Sequence, residues 1–198
     1  MDTDVLQLNA PEQYVSRAGL KLASVAGKFG VEFRDTVVLD VGSSTGGFTD
    51  YALQHGAAKV YAVDVGTDQL HPSLQGDDRI ELHEKTDIRD FVPATTPGVI
   101  VIDVSFISLR RILPHLAQIS APHTTVLAMV KPQFEASRQQ ISSSGIVKND
   151  TYRRQILRDF ETWARGYFTI IDKADSDVRG AHGNLERFYV LKKSRPLH

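Results

Sequence analysis

Four charged residues stand at the ends of apolar, β-branched runs. Val37-Val38-Leu39 leads to Asp40, Val60-Tyr61-Ala62-Val63 to Asp64, Val99-Ile100-Val101-Ile102 to Asp103, and Val126-Leu127-Ala128-Met129-Val130 to Lys131. A charge closing a buried strand is costly unless it is paired or used. Asp103 and Lys131 admit two readings. One is a plain ion pair tying two strand ends together. The other is chemical: a desolvated lysine can act as a base or steady a developing alkoxide. Glu186 opens the last apolar run and arrives at the same edge. A second lysine, Lys21, would complete an alternating Lys-Asp-Lys-Glu cluster. Neighbouring cations lower a lysine's pKa and carboxylates raise it, so the net shift stays open at this level.

The stretch Asp40-Val41-Gly42-Ser43-Ser44-Thr45-Gly46-Gly47-Phe48 reads as a strand end, a glycine-rich turn and a helix start. Gly42, Gly46 and Gly47 let backbone approach a ligand and permit positive φ. The free N–H groups of the helix start favour an anion or a polar ligand edge. The spacing fits neither the dinucleotide fingerprint nor a P-loop. An acidic strand, a short glycine turn and an acid closing the next strand suit S-adenosylmethionine. Asp64 lies at roughly the 20-residue distance where a carboxylate accepts adenosine ribose hydroxyls. The competing reading is an ordinary strand-to-helix turn with chance glycines.

Alternating elements must position these groups. Strands are expected at about 36–41, 59–64, 79–83, 98–103 and 124–130, with helices near 46–56, 107–119 and 150–165. That alternation predicts a doubly wound α/β fold around a parallel sheet. Two further strands, at about 168–174 and 186–192, have no helix pattern between them and should pair antiparallel. Ligands of such sheets bind beyond the carboxyl ends of the strands. Asp40, Asp64, Asp103 and Lys131 should therefore crowd one edge. Ser16 reads as the N-cap of a first helix running to about Phe29, with Gly30 ending it. Leu22, Ala26 and Phe29 form its apolar stripe, and on spacing alone Lys21 falls off that stripe onto a solvated face. Tyr152, Ile156, Phe160, Trp163 and Tyr167 form an aromatic core stripe on the last helix. Residues 1–15 read as an extended arm, and 132–149 as a long polar loop.

The 198 residues suit one domain with an ordinary core. There is no cysteine, which excludes disulfides and thiolate metal sites and fits a reducing, cytoplasmic setting. No apolar run approaches the roughly 18 residues of a membrane span, and the acidic start Met1-Asp2-Thr3-Asp4 argues against a signal peptide. The net charge of −1 lacks the basic surplus of a protein that grips nucleic acid alone, so RNA binding must rest on a local patch or a partner. Arg17, Arg110, Arg111, Arg138, Lys148, Arg153 and Arg154 form such a rim or are simply solvated.

The chain resembles the TlyA branch of the FtsJ-like ribosomal RNA 2′-O-methyltransferases. The matching pieces include Ser16-Arg17-Ala18-Gly19-Leu20-Lys21-Leu22, the Asp40 to Phe48 turn, Asp64-Val65-Gly66, Glu84 to Arg89, Asp103-Val104-Ser105-Phe106-Ile107-Ser108-Leu109, Lys131-Pro132-Gln133-Phe134-Glu135 and Gly183-Asn184-Leu185-Glu186. They run from about 16 to 191. Asp-Val-Ser-Phe-Ile-Ser-Leu and Lys-Pro-Gln-Phe-Glu are specific; the glycine turn alone is not. The resemblance implies a Rossmann-like class I methyltransferase domain over 16–198, with a seven-stranded, mostly parallel sheet and helices on both faces. It implies methylation of a ribose 2′-hydroxyl by a Lys21, Asp103, Lys131 and Glu186 tetrad, with S-adenosylmethionine as cofactor and no metal. Carried over by motif, the cofactor contacts are Gly42, Ser44, Gly46, Gly47 and Phe48 in the turn, Asp64 and Val65, Asp87 and Ile88, and Asp103. Ribosomal RNA in an assembled subunit is the implied partner.

The departures are specific. The S4 RNA-binding domain usual in this family has no room in these residues. Ser176-Asp177-Val178 stands where Ser-Pro-Ile is usual, and Asp87 where Asn is common, although Asp87 still accepts from an adenine amino group. The haemolysin label the family has carried has no membrane-active stretch here to support it. Two alternatives keep part of the pattern. A methyltransferase for a small molecule or protein would need the cofactor site but not the lysine pair. A non-catalytic RNA or ribosome-binding module would bind RNA without turnover.

Overall fold

The computed structural model describes residues 14–180 and 183–194. The expected arm therefore lies outside the described residues, save its end. There Tyr14 packs its ring 5.5 Å from that of Tyr51, and the Val15 N–H donates to Asp50 Oδ2 at 2.8 Å. Seven strands form one sheet: β1 (Val37–Val41), β2 (Lys59–Val63), β3 (Ile80–His83), β4 (Val99–Ile102), β5 (Thr125–Val130), β6 (Phe168–Asp175) and β7 (Arg187–Lys193). Their order is β3-β2-β1-β4-β5-β7-β6. The first five are mutually parallel, and β7 runs antiparallel to both β5 and β6. The expected sheet and its antiparallel close are both present. Strands β1, β2, β4 and β5 are apolar almost throughout because both their faces are covered. The edge strand β6 is largely exposed and carries an irregularity between Ile170 and Asp172, which blunts it against pairing with another chain.

Helices α1 (Arg17–Phe29) and α2 (Gly47–Gln54) cover one face, and α3 (Leu113–Ile119) and α5 (Asp150–Ala164) the other. A single turn, α4 (Pro132–Glu135), follows β5 directly. Ser16 caps α1 by accepting from the Ala18 N–H, and Gly30 ends it at φ 62°, a left-handed conformation that suits glycine.

Strand alternation then decides which face each charged residue takes. Val38, Val60, Val99, Val101, Leu127, Met129 and Phe188 all pack under α1 and α2. Side chains two residues apart share a face. Asp40 continues the Val38 row inside β1 and takes the α1/α2 face, while Asp64, Asp103, Lys131 and Glu186 stand one residue outside their strands, in phase with the same rows. The β5–β7 register pairs Val130 with Arg187, and one further step sets Glu186 across from Lys131.

Five expectations need correction. Lys21 is not on a solvated face: α1 buries Lys21, Leu22, Val25 and Ala26, because the final hairpin covers a second flank of the helix. Phe29, expected in the stripe, is only half-buried. The α5 stripe is narrower than the aromatic spacing suggests, with Ile156, Leu157, Phe160 and Ala164 buried and Tyr167 exposed at the helix end. Residues 107–119 hold a 3-10 turn, Leu109–Arg111, before α3 starts at Pro114's preceding residue, and 132–149 contains α4 and a bridge between Ile141 and Val147.

Candidate active site

The four residues expected to form a tetrad are held as two ion pairs. Lys131 Nζ lies 2.7 Å from Asp103 Oδ1, and Lys21 Nζ lies 2.6 Å from Glu186 Oε2. Lys131 also donates to Ser105 Oγ at 2.8 Å. Asp103 and Lys131 directly follow β4 and β5, whose hydrogen-bonded ends fix their backbones. Pro132 further restricts Lys131 to extended conformations, and it is found there, at φ −100° and ψ 103°. Lys21 descends from α1, and Glu186 sits one residue before β7.

A cavity of about 370 Å³ opens at the carboxyl ends of β1, β2 and β4, where the strand order reverses. Of the residues expected to hold a cofactor, Gly42, Ser44, Asp64, Val65, Asp87, Ile88 and Asp103 line it. Gly42 has φ +81°, and a Cβ there would come within 2.5 Å of the Asp103 carbonyl oxygen, so glycine is required. Asp64 is aimed by its surroundings: Oδ2 accepts from the Ser44 N–H at 2.8 Å and Oδ1 from the Gly66 N–H at 2.7 Å. A carboxylate oxygen accepts more than one hydrogen bond, which leaves capacity for ligand hydroxyls. Asp87 is gripped by Arg89, whose side chain and backbone hold its carboxyl down at about 2. A ribose-sized polar group at Asp64 and an adenine edge at Asp87 both fit this outline.

Gly46, Gly47 and Phe48 do not line the cavity. A Cβ on Gly46 would strike Leu70 and Leu74, and one on Gly47 would strike Ser16 and Ala18. Phe48 is buried with its ring 6.1 Å from Phe188. Gly47 lets α2 pack tightly under α1, Gly46 lets the turn meet Leu70 and Leu74, and Phe48 anchors α2 on β7. Asp40 also departs from expectation. It sits inside β1 and is wholly buried, with Oδ2 accepting from the Thr49 hydroxyl at 2.7 Å. Burial pushes its carboxyl up to about 7, against the pull of the Thr49 hydrogen bond and with a push from the Asp103 charge. Asp40 thus braces the turn from below.

Two residues escaped a sequence reading of their roles. The Glu135 side chain is 2% exposed, accepts from Ser108 Oγ and from the Leu109 N–H, each at 2.7 Å, and lies 3.5 Å from Arg110 Nε. It welds the segment after Lys131 to the segment after Asp103. Phe106 is 92% exposed at φ +64°, with its ring 5.3 Å from that of Phe134. Such a backbone is strained for a bulky residue and marks functional sites. The motif strings containing both residues were visible, but neither the cap nor the exposure has a periodic signal.

The expected basic rim divides. Arg153 pairs with Asp175 and donates to the Leu185 carbonyl, a structural use. Arg110 stacks 5.7 Å over Trp163. Arg17 donates to the Arg179 carbonyl, and Lys148 to the Gln139 carbonyl. Among the described residues no three metal-ligating side chains converge, and no helix is long and apolar enough to cross a membrane.

The FtsJ-like methyltransferase family model matches residues 14–194. YqxC of Bacillus subtilis is 43% identical over 182 residues, a match covering 89% of this chain and 64% of that protein. The chain thus spans less than two thirds of that relative. The 23S rRNA (cytidine-2′-O)-methyltransferase TlyA of Campylobacter jejuni is 37% identical over 195 residues, covering 97% of this chain and 76% of that protein. Among solved structures, a Streptococcus thermophilus chain carrying a hemolysin designation superposes with a TM-score of 0.88 at 42% identity, covering 94% of this chain and 69% of that one.

Proposed function

The chain belongs to the FtsJ-like methyltransferase family, and from that premise we propose that it uses S-adenosylmethionine to methylate a ribose 2′-hydroxyl of ribosomal RNA. The reading assigns 16–198 to the methyltransferase domain and its work to the cytoplasm. The observation that carries it is the Lys131–Asp103 pair at 2.7 Å, on the rim of the cavity that Asp64 borders. A small-molecule or protein methyltransferase has no need of such a lysine.

The cofactor supplies an electrophilic methyl group on a sulfonium centre. Gly42 and Ser44 leave room for it, Asp64 accepts its ribose hydroxyls, and Asp87 meets its adenine edge. As the O–CH3 bond forms and the S–CH3 bond breaks, Lys131 takes or shields the hydroxyl proton, and the ammonium present at the end of either course faces the developing negative charge, favouring the transition state over the ground state. Asp103 and Ser105 aim Lys131. Lys21 steadies the ribose side, and the more deeply buried Glu186 acts through Lys21. Phe106, backed by Phe134, offers a flat apolar face on which an unstacked base can settle. Proximity and orientation do most of the remaining work.

Incubation with methyl-labelled S-adenosylmethionine and ribosomal RNA or subunits, followed by nucleoside analysis, tests the reading. A 2′-O-methylnucleoside is expected, with an assembled subunit preferred over free RNA. Label recovered only in methylated bases, protein or small molecules would refute it.

A further inference from the structure

A second cleft, of about 280 Å³, opens next to the lysine pair and shares no lining residue with the first cavity. Its walls are Pro132, the segment 146–149, the first turn of α5 and the turn 183–185 with Arg179. Pro132 adjoins Lys131 and Leu185 adjoins Glu186, so two of its walls are the segments that deliver tetrad residues. The lining is cationic: Lys148, Arg153 and Arg179 against one acid, Asp150. Asp175, behind the lining, engages Arg153 and Arg187. That leaves Lys148 and Arg179 as the exposed cations of the lining with no carboxylate partner among the described residues. Each donates to a backbone carbonyl, at 2.8 Å for Lys148 and 3.0 Å for Arg179. An ammonium has three donors and a guanidinium five, so both can serve an anion besides. The 15-residue helix α5 adds the positive end of its dipole to the same cleft. Asn184, buried, holds the cleft in shape by accepting from the Val147 N–H and donating to the Gly145 carbonyl.

We propose that this cleft is a subsite for an RNA backbone phosphate, the one flanking the ribose presented to Lys131, with Lys148 and Arg179 as its ligands. The inference rests on the RNA reading above and deepens it. Phosphodiesters adjoin every 2′-hydroxyl, and the cleft is the cationic recess that adjoins the lysine pair. It also explains how a chain of net charge −1 can hold a polyanion: the positive charge is local.

The test uses the full chain and the ribosomal RNA or subunit that the wild type methylates. Lys148→Gln and Arg179→Gln, singly and together, are compared with wild type for RNA affinity over a salt series. Each removed phosphate contact should lower the slope of log affinity against log salt by about 1. Affinity at low salt should fall roughly tenfold per contact, while S-adenosylmethionine affinity and the rate at saturating RNA stay constant. Arg179→Lys, which keeps the charge, should keep most of the slope and guards against misfolding of the glutamine variant. Methylation by wild type with unchanged slopes in the double variant overturns the subsite alone. Absence of RNA methylation by wild type removes the subsite together with the RNA reading.

Discussion

Two lysine–carboxylate pairs of nearly equal length, 2.7 Å for Lys131–Asp103 and 2.6 Å for Lys21–Glu186, stand at one edge of the sheet. Their surroundings differ. The Asp103 side chain is 17% exposed and borders the cavity, whereas the Glu186 side chain is 2% exposed and is enclosed between α1 and the final hairpin. The same two charges therefore do different things. A pair open to a ligand can exchange its partner for substrate during a reaction. A closed pair is committed to its geometry, and removing one member strands a charge. The open pair is suited to chemistry. The closed carboxylate Glu186 holds Lys21, which at 11% is as exposed as Lys131, in place on its helix and sets the local field.

Lys131→Ala gives the largest effect on the open side. Single-turnover methyl transfer should fall roughly 10²–10⁴-fold, as for loss of a general base. Cofactor affinity and melting temperature should change far less, because Lys131 itself does not line the cavity and its partner Asp103, 17% exposed, stays open to solvent. Lys131→Arg should not rescue, since arginine stays protonated and its planar fork aims charge differently. Near wild-type transfer by Lys131→Ala would abolish the distinction between the pairs.

The closed pair should answer in stability instead. Glu186→Ala is expected to cost about 3 kcal/mol or more by denaturant titration, because the Lys21 ammonium is left buried and unpaired. Replacing both partners, Lys21→Met with Glu186→Leu, should recover much of that stability without recovering transfer. If Glu186→Ala melts like wild type, Glu186 is not a structural anchor and its role is chemical.

How legible this arrangement was in the sequence follows from what fixes each part. Strands β1, β2, β4 and β5 were readable because burial on both faces writes an uninterrupted apolar run. Asp103 and Lys131 were readable because charge closes those runs. Lys21 was not readable from spacing: its partner Glu186 is far along the chain, and only the assembled hairpin buries it. Asp40 was read as a strand-end group because it closes an apolar run too, yet β1 runs on to Val41, so Asp40 lies inside the strand and bonds to Thr49. Glu135 could not be read at all, since a carboxylate capping a distant 3-10 turn leaves no local pattern.

The next effect sharpens the line between the pairs and the cofactor cavity. Asp64→Ala removes the carboxylate that accepts from the Ser44 and Gly66 N–H groups and would accept from the cofactor's ribose. Calorimetry should show S-adenosylmethionine binding weakened by about 2 kcal/mol, as for hydrogen bonds to a charged acceptor. Both lysine pairs should remain intact. Unchanged affinity would detach Asp64 from the cofactor.

The smallest effect concerns Asp87, the one cavity carboxylate whose charge should not matter. Arg89 holds its carboxyl down at about 2. The folded value is depressed, so any stability from this pair is complete above the ordinary carboxylate pKa near 4 and is lost only as pH falls through about 2. Asp87 is consequently ionised throughout pH 5–9 and should contribute no inflection to cofactor binding there. An adenine amino group is a neutral donor that needs only an acceptor oxygen, and an amide carbonyl supplies one. Asp87→Asn should therefore change S-adenosylmethionine affinity by less than about 1 kcal/mol, while Asp87→Ala, which removes the acceptor, should cost about 1 kcal/mol. Arg89 is freed in either variant, and its exposed ion pair is worth little to the fold. Titration of both variants at pH 5, 7 and 9 checks this. Asp87→Asn binding more than tenfold weaker, or a new pH dependence in it, would mean that the cavity uses the negative charge itself, as the open lysine pair does.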